Sequence, residues 1–348
     1  MRSVFFTITC LFIFSYHAQA QNIDKQKTKI LYTQLPSKPL PEGITKYHVR
    51  TSLGAIPSSE SRTEITNRLK SASEISHLEK TNDEGLKVLA KLESYYKGDT
   101  KYESVTRKEK RDDKEISVTY YYLTFEYKFP VYVEITLPDE VDPYFAQFVA
   151  NSNSPSQYRS REFQSSSALN SWWSESYNSV QAELRKKMLG QYISELQSTI
   201  STNFSYHKEP LYTEFLTVKK FKKFEYADLD EAWEKAKVAL DKISENDIVF
   251  SADFNSAMLE AISMWQTALN ESDLEDKKSR INKKVTEAIY NNMFLAYTMM
   301  SEFEKAEEIK QIAEERINKR AIDNYAENFL IGRKQRFEAN EGRIPASI

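Results

Sequence analysis

The chain has 348 residues, enough for two domains, with 21 Tyr, 19 Phe and 4 Trp against only 7 Gly and one Cys. The scattered glycines leave no GxGxxG turn, Walker A loop or GxSxG elbow, so phosphate cradling by a glycine loop is excluded and no cofactor is expected. Forty-eight Lys and Arg against 51 Asp and Glu give a net charge of −3 with both signs interspersed, which offers no field to draw in nucleic acid or anionic lipid.

Residues 1–20 read as a secretory signal: Arg2, an apolar run from Val4 to Phe14, and Ala18-Gln19-Ala20 as an A-x-A site before Gln21. The run is shorter than the ~20 residues a spanning helix needs, and no later stretch is both long and free of charge. The expectation is cleavage near Ala20/Gln21 and a secreted or periplasmic protein without a transmembrane segment. Cys10 follows Thr7-Ile8-Thr9, which does not resemble a bacterial lipobox, so a lipoprotein is not expected. The cleaved chain has no cysteine, which removes disulfides, thiolate zinc sites and a cysteine nucleophile.

After a polar lead to Lys29, Pro36, Pro39 and Pro41 predict that Ile30–Gly43 is an extended arm over the domain surface. Lys46–Leu53 alternates as a strand that ends at Gly54 and Pro57. Ser58–Leu78, with Ile65, Leu69, Ala72, Ile75 and Leu78 on one stripe, predicts an amphipathic helix capped by Ser58 or Ser59. A shorter helix is expected around Glu84–Tyr95, carrying Leu86, Leu89 and Leu92. Every odd position from Tyr121 to Leu137 is apolar, which predicts one long strand bent at Pro130, on a sheet with one wet face. Asp139–Ser171 reads as a long irregular loop, of a kind that is either functional or disordered. From near Asn170 a long helix carries Trp173, Tyr177, Val180, Leu184, Met188, Leu189, Ile193, Leu196 and Ile200, and should cover the sheet. Leu211–Lys220 is a last strand. No proline follows Pro210 until Pro345, so the remainder can be long helices.

Within that remainder, Asp228–Asp241 has Ala232, Ala236, Ala239 and Leu240 at small and apolar positions, and Ala257–Leu269 has Ala261, Trp265, Ala268 and Leu269. Ile289–Ala313 is the fullest match, with Asn292, Met293, Ala296 and Tyr297 followed by Phe303, Ala306 and Ala313. These segments resemble the tetratricopeptide-repeat (TPR) family, in which Ala at close-approach positions lets antiparallel helices pack tightly. Ala232, Ala261 and Ala306 are unequally spaced, unlike the 34-residue period of a regular array. Two hairpins, about 225–270 and 278–319, are therefore expected, with an insertion at Asn270–Lys278 and a capping helix from Ala321 to about Ala339.

The fold class predicted is an α+β N-terminal domain, with a mixed or antiparallel sheet and packed helices, followed by an all-α TPR-like hairpin domain. The divisions are 1–20 signal peptide, 21–223 α+β domain with its arm, 224–340 helical domain and 341–348 tail. The resemblance implies a scaffold that binds a protein or peptide of the cell envelope through a concave surface. Asn291, Asn292, Leu295 and Met299 would face that surface, where an Asn amide can bond both N–H and C=O of an extended peptide. Two hairpins could equally do no more than buttress the first domain.

Other constellations are weaker. His48, His77 and His207 are too far apart in sequence to form a helical metal pair, so no metal site is expected. Asp139, Glu140 and Asp142 lie between Pro138 and Pro143, as a solvated turn would. The basic run Lys219–Lys223 around Phe221 reads as a strand edge resisting aggregation. Trp172, Trp173 and Tyr177 carry one alternative, an aromatic platform for a glycan, whose mark would be exposed coplanar rings near Trp172. A secreted hydrolase is the second alternative, and would require a cleft with convergent carboxylates or a Ser-His pair.

Overall fold

The computed structural model describes residues 22–57, 60–219 and 224–345. The expected signal segment, Ser58 and Ser59, and most of the basic run Lys219–Lys223 lie outside the described residues. In chain order the elements are β1 (Ile23–Gln34), β2 (Lys46–Leu53), α1 (Arg62–Ala72), β3 (Glu79–Lys80), β4 (Leu86–Leu92), β5 (Tyr96–Lys97), β6 (Lys101–Arg111), β7 (Lys114–Lys128), β8 (Val131–Thr136), β9 (Phe145–Phe148), β10 (Ser156–Arg159), α2 (Ser166–Phe204), β11 (His207–Val218), α3 (Ala227–Leu240), α4 (Ala252–Leu269), β12 (Ser272–Asp273), β13 (Ile281–Asn282), α5 (Lys283–Met299), α6 (Phe303–Arg316) and α7 (Asn324–Ala339). The fold class is the one predicted: strand-rich sheets with packed helices, then helices. Among the described residues no helix is long and apolar enough to cross a membrane. The described residues divide into two compact units, one sheet-rich (within 33–209 and 335–344) and one helical (22–32, within 210–334, and 345).

The sheet-rich unit has a five-stranded sheet in the order β3-β2-β4-β8-β9, parallel across β3, β2 and β4 and antiparallel across β8 and β9. Here β4 replaces the helix expected around Glu84–Tyr95. Leu86, Leu89 and Leu92 fit a helical spacing, but Leu86, Val88, Ala90 and Leu92 fit a period of two, and all four are fully buried. Seven residues suit a strand better than a helix. Gly85 makes the entry possible: its φ is +79°, and a Cβ there would lie 2.2 Å from the Lys46 carbonyl oxygen.

The predicted single strand Tyr121–Leu137 is two strands in two sheets. The alternation never slips, yet β7 pairs with β10, β5 and β6, whereas β8 pairs with β4 and β9. The break is at Phe129-Pro130, where proline has no N–H for the ladder and its carbonyl accepts from Glu93 N–H. The fully buried Leu123, Phe129, Val131, Val133 and Ile135 keep the same parity, so both strands contribute to one core. β6 forms a continuous hairpin with β7, turned at Asp112 and Asp113, which both have positive φ. The expected irregular loop 139–171 contains β9, β10 and the start of α2.

α1 and α2 pack on each other, and α2 packs on β7 and β8, burying Leu196, Ile200 and Phe204. The helix expected over Ser58–Leu78 is α1, capped by Ser61, whose Oγ accepts from Glu64 N–H. Only the second half of the predicted arm is a strap. Its residues Ser37 and Lys38 donate to the carbonyls of Thr202 and Asn203 at the end of α2, and Arg336, Asn340 and Arg343 bond the carbonyls of Leu35, Pro36 and Leu40.

In the helical unit α3 packs on α4 and α5 on α6. Ala232, Ala236 and Ala239 of α3, Ala261 of α4, Ala296 of α5, and Ala306 and Ala313 of α6 are all buried, so backbones approach closely. One cation ties the hairpins together. Arg280 makes a two-pronged pair with Asp228 at the start of α3, at 2.8 Å for each contact, and pairs with Glu271 just past α4 at 2.8 and 2.9 Å. Arg280 holds the Asp228 carboxyl below its ordinary range, and both carboxylates raise the guanidinium pKa in return.

Candidate functional site

The helical unit contains a cleft of about 770 Å³ between a two-stranded ribbon, α5 and the start of α7. The ribbon is β1 with β11. Lys219 N–H donates to the Asn22 carbonyl and Thr213 Oγ1 to the Thr28 carbonyl, so the strands run antiparallel. Side chains alternate across it. Ile30, Tyr32, Leu211, Thr213, Phe215 and Thr217 turn to the helices, where Phe215 stacks at 5.9 Å on Trp265. The opposite face gives the cleft Lys25, Lys27 and Lys29 from one strand and Tyr212, Glu214 and Leu216 from the other.

Charge on this face is graded. Glu214 pairs with Lys25 and lies 3.7 Å from Lys27, and the Lys25 ammonium is held above its usual value by that carboxylate. Lys29 sits 5.8 Å from the centre of the Tyr212 ring. Across the cleft, burial pushes the Glu287 carboxyl up, opposed by Lys283 and Lys284. Tyr212 and Tyr325 line the cleft and are 57% and 50% exposed.

Of the four residues expected to face a partner, Asn291 and Leu295 line this cleft; Asn292 and Met299 do not. The Asn291 amide is spent on the fold. Its Nδ2 donates to the carbonyls of Glu287 and Ala321, and its Oδ1 accepts from Asp323 N–H, which fixes the turn before α7. Asn292, 2% exposed, makes the contact foreseen for an extended peptide, but with this chain's own β11: Leu216 N–H donates to its Oδ1 and its Nδ2 donates to the Leu216 carbonyl, each at 2.8 Å. Leu295 and Met299 are buried. The ribbon, whose sequence pattern reads as an arm and a last strand of the N-terminal domain, thus occupies the place beside α5 that the resemblance assigns to a partner. The cleft lies on the outer side of that ribbon.

The aromatic platform does not form. Trp173 is buried against Phe125, Trp172 lies against Phe163 with the Arg161 guanidinium over both rings, and the two indoles are inclined at 35°. Tyr177 meets Trp173 edge-on at 82°. No coplanar surface exists among the three. Asp139, Glu140 and Asp142 are exposed on a turn. His48 bonds the Glu84 carbonyl, His77 packs against Tyr206, and His207 lies 3.5 Å from Glu209. Among the described residues no three His, Cys, Asp or Glu side chains are grouped to hold a metal ion.

The residues of the cleft come from four separated stretches, 23–29, 212–216, 287–295 and 320–326, of which only Asn291 and Leu295 are legible as site candidates in the sequence. Their one local signal was Lys25, Lys27 and Lys29 at a period of two. Set against known proteins, the chain matches no family model, no curated protein and no solved structure.

Proposed function

We propose that the protein acts by binding rather than catalysis, and that the cleft of its helical unit takes an extended segment of a cell-envelope protein. The observation that carries this reading is a cleft of about 770 Å³ with two half-exposed tyrosines and a row of lysines on one strand. Tyrosine gives a large apolar area and a polar tip at low entropic cost, which is why it anchors interfaces. Lysines two residues apart on a strand repeat every ~6.8 Å, the same period at which an extended peptide presents alternate side chains. A segment with alternate acidic residues would therefore compete with Glu214 for Lys25 and Lys27 and reach Lys29 as well. The likeness of Ile289–Ala313 to a tetratricopeptide repeat supports the same class of function.

The test is co-purification of the tagged protein from its host's envelope beside a Tyr212→Ala/Tyr325→Ala variant. The expected result is one protein retained by the native chain and lost with the variant, with both chains melting alike. Equal retention by the variant, or retention of polysaccharide alone, would overturn the reading.

A further inference from the structure

The sheet-rich unit contains a second cavity, of about 490 Å³, and the five side chains that define its chemistry are Tyr95, Lys97, Tyr177, Gln181 and Arg185. The volume is in the range of small-molecule sites. None of its lining residues is acidic.

Donors outnumber acceptors in this cavity. Gln181 is 4% exposed; its Oε1 accepts from the Tyr95 hydroxyl at 2.9 Å, while its Nε2 has no partner. An orphaned amide donor inside a fold is costly, and natural structures seldom leave one without a reason. Arg185, 8% exposed, gives its Nε to Glu60 and holds its guanidinium 5.4 Å from the centre of the Tyr95 ring. Its two terminal nitrogens meet no acceptor among the described residues. Lys97 donates to the Gly98 carbonyl at 2.8 Å and to Thr100 Oγ1 at 2.9 Å, and lies 4.9 Å from the centre of the Phe125 ring; burial lowers its pKa.

Glu60 matches the charge of Arg185 at its Nε, whereas Lys97 has no carboxylate in hydrogen-bond or ion-pair reach among the described residues, so the cavity keeps one unmatched cation and favours an anion. An open guanidinium fork beside an ammonium suits the planar, two-oxygen geometry of a carboxylate better than a point charge. The orphaned Gln181 donor is closed off from solvent, and a small shift of its side chain brings it to a further oxygen on the same molecule. Tyr177, 40% exposed, supplies a ring against which the rest of that molecule can lie. We propose that this cavity binds a small carboxylate-bearing ligand, with its carboxylate at Arg185 and Lys97, a second oxygen at Gln181 Nε2 and its body on Tyr177. The site belongs to the other unit from the cleft, and the two proposals stand or fall separately.

Isothermal titration of the full chain with galacturonate, galactose and acetate tests it. Galacturonate should saturate one site and galactose, the same ring without the charge, should give no heat. Binding of acetate as well identifies the carboxylate alone as the determinant; silence with acetate identifies an acidic sugar. Lys97→Gln should weaken binding about tenfold with an unchanged melting temperature, and Gln181→Leu should weaken it about as much while also lowering the melting temperature, because the Tyr95 hydroxyl loses its acceptor. Lys97, on a strand end, is the substitution least able to disturb the fold. No saturable binding of either acid, equal binding of galactose and galacturonate, or unchanged affinity in Lys97→Gln would overturn the proposal.

Discussion

Replacing Asn292 by Leu tests whether the ribbon is fixed to α5 by a single amide. Leucine has nearly the same shape, so little cavity forms, but both 2.8 Å bonds to Leu216 are lost. The Leu216 N–H and C=O then face an apolar side chain. Each orphaned backbone group costs about 1–3 kcal/mol when buried; because Leu216 is only half-buried, the sum is about 2–4 kcal/mol for the helical unit. With a urea dependence of about 2 kcal/mol per M for a unit of this size, the midpoint should fall by about 1–2 M. Urea titration followed by tryptophan fluorescence reads the shift, and hydrogen exchange across β11 should rise with it. Asn292→Asp adds a second handle. Its carboxylate repels the Leu216 carbonyl and is buried, so its folded pKa is raised; native-like stability is present below the ordinary aspartate value and lost as pH rises through the raised one. Relative to the native chain, the variant should recover on acidification, where the protonated acid can again donate and accept. A midpoint within ~0.3 M of native for Asn292→Leu, with unchanged exchange in β11, would mean that this amide does not hold the ribbon to α5.

Three further outcomes follow from the structure. Burial raises the Glu287 carboxyl above its ordinary 4.5, so the unfolded chain ionises first and stability is subtracted as pH rises past that value. Glu287→Gln should therefore be more stable than native at pH 7, and the difference should vanish below pH 4.5 in urea titrations at each pH. Gly85→Ala puts a Cβ 2.2 Å from the Lys46 carbonyl at a positive φ, and should cost the sheet-rich unit about 2–3 kcal/mol by chemical denaturation. Asp112→Asn/Asp113→Gly places the favoured pair for a two-residue turn with positive φ at both positions, and should raise hairpin stability by roughly 0.5 kcal/mol, visible as slower exchange in β6 and β7.

Sequence patterning carried the elements whose own residues are amphipathic. β2 lies where its alternation put it, and the long helix over Trp173–Ile200, the last strand and the final helices form close to their predicted spans. The failures share a cause: elements whose structure is set by partners rather than by their own pattern. β6 is polar on both faces and exists because β7 pairs with it through the turn at Asp112 and Asp113. β1 alternates lysine with other polar residues from Asp24 to Lys29, so no apolar period marked it, and β11 makes it a strand. At Leu86–Leu92 two periods fit, and Leu86 and Leu92 belong to both. The cleft is the least legible feature, since its walls join residues as far apart as Ile23 and Ala326. Asn292 shows the limit clearly: its chemistry was anticipated, bonding both polar groups of an extended backbone, but the strand it holds belongs to its own chain.

The most direct measurement of the central claim is photo-crosslinking in the host's envelope, with a photoreactive amino acid at position 325 and, as the control, at 238, a half-exposed position on α3 that is not part of the cleft. One discrete protein adduct is expected from 325, reduced by the Lys25→Glu/Lys27→Glu/Lys29→Glu change, and none from 238. Adducts of equal yield from both positions, or none from 325, would contradict the claim.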